Sequence, residues 1–197
     1  NYDNRYLLTT TFRADGSSKF FKNKWGFFPS VALAWSLGNE KFMQQQDIIQ
    51  DSKLRVSYGL VGSQAISPYE TLGLMKQVGY AYGGSNKYTG FWAGTSRATP
   101  DLTWEKTHQF NVGIDFATLA HRLRFSIDYF NKTTKDGLLK KTLPQYDGGG
   151  TYWVNACEVV NRGVDFTIDA HILNQKDLNW SSSFTGSYLK NKVTSLD

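Results

Sequence analysis

Side chains that could perform acid–base or metal chemistry are few and widely spaced in this sequence. The three histidines, His108, His121 and His171, follow no spacing of a metal-ligating motif. Asp165 and Asp169 share one face of a predicted strand, but four residues along a strand separate them by about 13 Å, more than the carboxylate spacing of glycosidases. No nucleophile elbow, phosphate-binding loop or dinucleotide motif is present. The residues therefore predict a protein that is not an enzyme and has no metal or cofactor.

Ring stacking is the other chemistry that the sequence offers, and it is concentrated in residues 63–101, which are rich in Gly, Tyr and Ser. Aromatic side chains on loops can stack on sugar rings or insert into peptides. The alternative is that these rings pack the loop onto itself or onto a partner. The candidate substrate-binding residues are the aromatics in the middle of this stretch: Tyr80, Tyr82, Tyr88 and Trp92.

Residues 25–37, WGFFPSVALAWSL, show the clearest structural pattern of the chain. The odd positions are apolar throughout, with Trp25 and Trp35 near the two ends, whereas the even positions after Phe28 are Ser or Ala. Successive side chains of a strand point to opposite faces. An apolar face with aromatic residues at both ends is typical of a membrane β-barrel strand. A soluble sandwich strand facing its core gives the same alternation, so this segment alone is compatible with a membrane barrel and with a soluble sandwich.

Bulk composition is compatible with either reading. Of the 197 residues, 40% are hydrophobic and 15% aromatic, too many for a disordered chain. No run approaches the roughly 18 apolar residues that a transmembrane helix needs. The mean hydropathy of −0.44 does not decide between the readings, because the strands of a membrane barrel alternate polar and apolar residues.

The pattern along the whole chain predicts long strands separated by connections of alternating length. Strands are predicted at 4–14, 25–37, 53–62, 103–116, 122–132, 158–173 and 178–190. Ten residues tilted by about 40° cross about 25 Å, the height of an outer-membrane apolar band. Short turns (117–121, 174–177) fall on one side and long excursions (63–101, 138–152) on the other, although connection 38–52 breaks this rule. The pattern predicts an all-β fold, an antiparallel up-and-down transmembrane β-barrel segment of about seven strands, too few to close a wide barrel.

Charge and cysteine content exclude other classes. The net charge is +5, but the basic residues are scattered and form no nucleic-acid-binding stripe. The single cysteine, Cys157, excludes an internal disulfide framework. The N-terminus has no signal-peptide pattern and opens inside a strand. We therefore expect the chain to be a section of a larger protein.

Six motifs follow one another along the chain: YDNRYLLTTTFRADGSSKF (2–20), WGFFPSVALAWSL (25–37), KLRVSYGLVGSQ (53–64), PDLTWEKTHQFNVGIDF (100–116), RLRFSIDYFNKTTKDGLL (122–139) and NRGVDFTID (161–169). In this order they resemble the barrel of SusC/RagA-type TonB-linked outer-membrane proteins, which are TonB-dependent receptors. One local departure is NACE at 155–158, where the family usually has NVGK-like residues.

The resemblance implies an importer of the Bacteroidetes, integral to the cell outer membrane and in contact with its lipid. Residues 1–197 would be part of the β-barrel domain, with the plug domain and the last strands absent from this sequence. The family implies TonB-energised uptake of glycans or peptides together with a SusD-like surface lipoprotein, and no catalysis. The long excursions would then face outward and contribute to ligand capture or lid contact.

Two alternatives come from other classes. A soluble β-sandwich carbohydrate-binding module would bury its apolar faces internally and would have shorter strands with unsorted loops. A β-rich glycosidase would need two carboxylates within about 5–10 Å on facing elements, and no such pair is apparent.

Overall fold

The computed structural model describes residues 1–43, 45, 49–81, 87–147, 149–175 and 178–196. These residues form nine strands: β1 (Tyr6–Gly16), β2 (Trp25–Ser36), β3 (Ile49–Ser63), β4 (Met75–Ala81), β5 (Lys87–Gly94), β6 (Glu105–Thr118), β7 (Leu123–Thr142), β8 (Thr151–Gln175) and β9 (Leu178–Leu196). Short 3₁₀ turns lie at Leu37–Asn39 and Gln145–Asp147. Among the described residues, no helix has the length and apolar content needed to cross a membrane.

Seven strands pair antiparallel in one sheet, in the order β1-β2-β3-β6-β7-β8-β9. The remaining two, β4 and β5, form a separate hairpin inside the long connection between β3 and β6. This confirms the predicted all-β, up-and-down arrangement of seven long strands. The connections 17–24, 64–104 and 143–150 lie at one end of the sheet, called here the long-loop end. The strand ends that are joined by connections 37–48, 119–122 and 176–177 lie at the other, the short-turn end.

Several strands are longer than the sequence pattern indicated, and the largest extensions are in β7 and β8. β7 continues to Thr142 instead of ending near Lys132, and β8 begins at Thr151 instead of near Glu158. The two strands stay paired across a bulge at Gly137, where an added Cβ would lie 2.8 Å from the carbonyl oxygen of Cys157. Backbone pairing continues there without an alternating apolar pattern, so the predicted excursion 138–152 shortens to a connection over residues 143–150.

The register aligns apolar side chains of all seven strands on one side of the sheet, called here the apolar face. One row contains Leu8, Leu33, Val56, Val112, Tyr129, Val164 and Tyr188. Leu8, Leu33 and Tyr188 expose 59%, 54% and 69% of their surface. These exposures show that no second sheet in the described part of the chain covers this face. The β-sandwich alternative therefore does not fit, whereas a lipid-facing surface does.

The edge of the apolar band crosses the strands diagonally. On β2 the band ends at Trp25, whereas on β9 it ends at Tyr188, which lies in the row of Leu33. The edge thus moves eight residues along the strands over five strand spacings. At about 3.3 Å per residue and about 4.8 Å per spacing, the strands tilt by roughly 45° from the normal to the band. Strands of membrane barrels have this tilt.

Aromatic pairs border the apolar band at both ends. At the short-turn end the rings of Tyr6 and Trp35 stack with centroids 6.1 Å apart, and both donate hydrogen bonds to the Glu40 carboxylate, at 3.0 and 3.1 Å. The hydrogen bond from Trp35, followed by that from Tyr6, holds the pKa of Glu40 below its usual value. At the long-loop end Phe12 stacks on Phe27. Tyr and Trp rings, which have an apolar body and a polar tip, are typical of a membrane–water interface, as at the short-turn end.

A small buried core fixes the long connections to the sheet at the long-loop end. Its members are Phe20, Phe28, Ile66, Leu102 and Trp104. Trp104 packs against both Phe20 and Phe28, with centroid separations of 5.3 and 5.6 Å. This core therefore holds together connection 17–24 and both ends of connection 64–104, the connection that contains the hairpin β4–β5.

Val31 and Ala32 provide a matched test of the two faces, because they are consecutive in β2 and point to opposite sides. Val31→Arg places a charge inside the apolar band, at a cost of about 2–4 kcal/mol in a membrane barrel. We expect the full-length Val31→Arg protein to assemble poorly in the outer membrane and to unfold at lower urea concentration in lipid vesicles. The full-length Ala32→Arg protein should assemble like the parent. Equal tolerance of both changes in heat-modifiability gels would contradict the assignment of the faces.

Candidate functional site

The side of the sheet opposite the apolar face, called here the polar face, carries an interlocked charge cluster. Arg55 on β3 donates to both carboxylate oxygens of Asp115 on β6, from Nε at 2.7 Å and from Nη2 at 2.9 Å. The same Nη2 lies 3.0 Å from Oδ1 and 3.1 Å from Oδ2 of Asp128 on β7. The Ser126 hydroxyl donates to Asp115 at 2.7 Å. One guanidinium thus bridges two carboxylates across three strands.

Gly113 makes this bridge possible. It lies on β6 between Arg55 and Asp128, and it is the register partner of both. A Cβ at this position would overlap the Asp128 carboxylate and would lie 2.9 Å from Nη2 of Arg55. The absent side chain therefore leaves the path through which the guanidinium crosses β6.

The rest of the polar face is a ladder of hydroxyl, amide and carboxylate groups. Side-chain hydrogen bonds join neighbouring strands at Ser57–Asn111, Thr107–Thr134, Asp165–Ser187 and Asp169–Ser183. An open hollow of about 450 Å³ lies at its short-turn end, lined in part by Lys53, Asp115, Arg124 and Asp169. Such a surface can hydrate and guide a polar solute, because it presents fixed donors and acceptors to water.

An ion pair fixes the base of the β4–β5 hairpin to the sheet. Nζ of Lys140 on β7 lies 3.1 Å from Oε1 of Glu70 and 5.6 Å from the ring centroid of Trp153 on β8. The backbone N–H of Ser67 donates to the same carboxylate at 3.3 Å. Burial alone would raise the pKa of Glu70, but the hydrogen bonds from Lys140 and Ser67 outweigh it and lower the pKa below its usual value. The Glu70 carboxylate is therefore ionised at neutral pH.

Three of the four predicted aromatic candidates lie on the β4–β5 hairpin. Tyr80 of β4 is the register partner of Tyr88 of β5, and Trp92 pairs with Gln77. Only the backbone of Tyr80, Tyr88 and Trp92 is described, and Tyr82 lies outside the described residues. Their role in binding stays a prediction, with the hairpin backbone bringing three of the four candidates to one element.

The structure adds residues that the sequence reasoning did not join. Arg55, Asp115 and Asp128 lie on three different strands, and they meet only through the register of those strands. Within the described residues no group of three or more His, Cys, Asp or Glu side chains is placed to hold a metal ion. His108 instead contacts the Tyr58 hydroxyl at 2.8 Å, and His121 lies 3.2 Å from a carboxylate oxygen of Asp51.

Comparison with known sequences gives a consistent result along the chain. A family model described as TonB dependent receptor-like, beta-barrel matches residues 1–196. TonB-dependent receptor P3 of Formosa agariphila is 39% identical over 196 residues, which is 99% of this chain and 19% of that protein. TonB-dependent receptor SusC of Bacteroides thetaiotaomicron is 35% identical over 203 residues, covering 98% of this chain and 20% of that protein. The chain spans about a fifth of the length of these relatives.

A solved structure described as the RagAB peptide transporter has the same arrangement of strands. It superposes with a TM-score of 0.85 at 29% sequence identity, over 98% of this chain and 21% of the matched chain. Together with the relatives, this confirms the resemblance to SusC/RagA-type barrels that was predicted from the ordered motifs, and the barrel-segment fold.

Gly113→Ala tests the charge cluster on the polar face. The added methyl group would collide with the Asp128 carboxylate, and overpacking of this kind costs about 1–3 kcal/mol. We expect urea unfolding of the full-length Gly113→Ala protein in vesicles to shift to lower concentration. Gly94→Ala is the matched control, because a Cβ there would meet no atom within 4 Å. An unchanged midpoint for Gly113→Ala would show that the bridge through Arg55 contributes nothing to stability.

Proposed function

Because the chain belongs to the TonB-dependent receptor β-barrel family, we propose that it forms a section of the wall of a TonB-energised importer in the outer membrane. Residues 1–197 lie within the barrel domain in this proposal, and a plug domain comes from another part of the protein. The apolar face contacts lipid, and the polar face lines the transport path. The observation that carries the proposal is the separation of the two faces, which runs through all seven strands.

The long-loop end faces outward in this proposal. The connections at that end are anchored by a buried core and by the ion pair between Glu70 and Lys140. The hairpin β4–β5 projects from this anchored base, within reach of ligands and partners outside the membrane. A SusD-like surface lipoprotein is the partner we propose at this end, and TonB acts from the periplasmic side through a part of the protein outside this chain.

The proposed substrates are oligosaccharides or peptides. Peptides are favoured by the similarity to a structure that is described as a peptide transporter. Oligosaccharides are favoured by the density of tyrosine and tryptophan in and around the hairpin, because such rings stack on sugars. In this account Tyr80, Tyr82, Tyr88 and Trp92 capture the substrate before it enters the barrel. Catalysis has no part in the proposal, and the relatives carry the names of receptors.

Uptake by cells that express the tagged full-length protein tests this proposal. The protein should be recovered from the outer membrane, a SusD-like lipoprotein should co-purify, and mass spectrometry should identify a bound glycan or peptide. Uptake of that ligand should stop when TonB is deleted. Recovery in the soluble fraction without a partner, or uptake that is independent of TonB, would contradict the proposal.

The affinity of the purified full-length protein for the identified ligand tests the aromatic residues of the hairpin. Tyr80→Ala/Tyr88→Ala/Trp92→Ala should weaken binding of the identified ligand at least tenfold, since each lost aromatic stack costs roughly 0.5–1.5 kcal/mol. Tyr146→Ala is the matched control, because Tyr146 is 93% exposed in a different long-loop connection. Unchanged affinity of the triple variant would remove the hairpin from the proposed capture site.

A further inference from the structure

Five basic side chains lie on the apolar face, just beyond the edge of the apolar band toward the long-loop end. We call this set the cationic belt: Lys106 on β6, Lys135 on β7, Arg162 on β8, and Lys190 and Lys192 on β9. All five side chains are exposed. On β9, Lys190 follows Tyr188 by two residues, and on β8, Arg162 precedes Val164 by two. The belt therefore adjoins the band on the same side of the sheet.

The cationic belt contains like charges that face each other directly. Lys106 is the register partner of Lys135, and Arg162 is the register partner of Lys190. Like charges at directly opposite positions destabilise a sheet. Among the described residues, none of the five side chains takes part in an ion pair or side-chain hydrogen bond, and the three cross-strand rows that contain them hold no Asp or Glu. This part of the protein leaves the repulsion uncompensated.

Among the described strand residues, the basic side chains of the apolar face lie at one edge of the band only. At the opposite edge, the rows that contain Trp35 and Phe116 carry no Lys or Arg on the apolar face. Long basic side chains at a band edge can keep their stems on apolar surface and their charged groups in the head-group region. The asymmetry therefore singles out the leaflet at the long-loop end.

We propose that the cationic belt binds the phosphate groups of anionic lipids in the leaflet at the long-loop end. Directly opposite side chains have Cβ atoms about 5 Å apart, so two of these long cations can reach one phosphate. The adjoining apolar band seats the acyl chains, which favours a lipid over a soluble anion. A phosphate bound between the two cations of a facing pair would replace their repulsion with two attractive contacts. This inference rests on the proposed function in one respect, since it requires the apolar face to lie in the membrane.

Native mass spectrometry of the purified full-length protein tests this inference. The protein is delipidated and then offered phosphatidylglycerol or phosphatidylcholine in mixed micelles. We expect the parent to retain phosphatidylglycerol in preference to phosphatidylcholine. Arg162→Gln/Lys190→Gln should reduce that preference roughly thirtyfold, since each cation near an anionic surface contributes about fivefold. Lys106→Gln/Lys135→Gln, which removes the other facing pair, should act in the same direction.

Two controls separate charge from other effects. Arg162→Lys/Lys190→Arg keeps both charges and should keep the preference, as should Lys41→Gln, which removes an exposed lysine at the short-turn end. The inference is overturned if the parent shows no preference, if both Gln pairs retain it, or if excess inorganic phosphate abolishes it as effectively as the substitutions do. If the parent protein keeps its lipid preference but ligand uptake does not depend on TonB, that result counts against the proposed function alone.

Discussion

The structure depends on one constraint: a strand with hydrocarbon on one side must satisfy its backbone within the sheet and must sort its side chains by parity. A slip of one residue would turn every apolar side chain to the wrong face. Among the described residues, the seven-stranded sheet has register shifts near strand ends, at 49/51 and 171/173, and at 134/138 and 158/159, where β7 and β8 continue beyond the row of Arg162. The row from Leu8 to Tyr188 crosses six strand pairs without interruption. Bulges are thus kept outside the band, where water can satisfy unpaired groups.

The polar face concentrates carboxylates on neighbouring strands, and their mutual repulsion must be offset. Asp128 is the register partner of Asp165, and Asp115 lies on the neighbouring strand β6. Arg55 offsets this concentration of carboxylates from two strands away, and it reaches Asp128 only because Gly113 has no side chain. Side-chain hydrogen bonds join neighbouring strands along this face, which suits a passage for polar solutes. On the apolar face the cationic belt has no such partner within the described residues, which is why an external anion completes it.

The sequence was informative wherever a property depends on a strand's own side chains. Alternation in residues 25–37 predicted both faces of β2, and the same reasoning predicted seven strands and their order. It did not predict that β7 and β8 continue past Gly137, because that pairing is made by the backbone. It also did not join Arg55 to Asp115 and Asp128, which are 60 and 73 residues away in the chain. Such contacts depend on how neighbouring strands are aligned, and the side-chain pattern of a single strand does not determine that alignment.

The most direct test of the account is the environment of consecutive residues on β2 in the full-length protein. Nitroxide labels would be attached singly at Val31, Ala32, Leu33 and Ala34 in a Cys157→Ala background, in lipid vesicles. Power saturation with oxygen and with a water-soluble nickel complex then reports contact with lipid or water. We expect high oxygen accessibility at Val31 and Leu33 and low oxygen accessibility at Ala32 and Ala34. Equal values at all four sites, or the reverse alternation, would contradict this expectation.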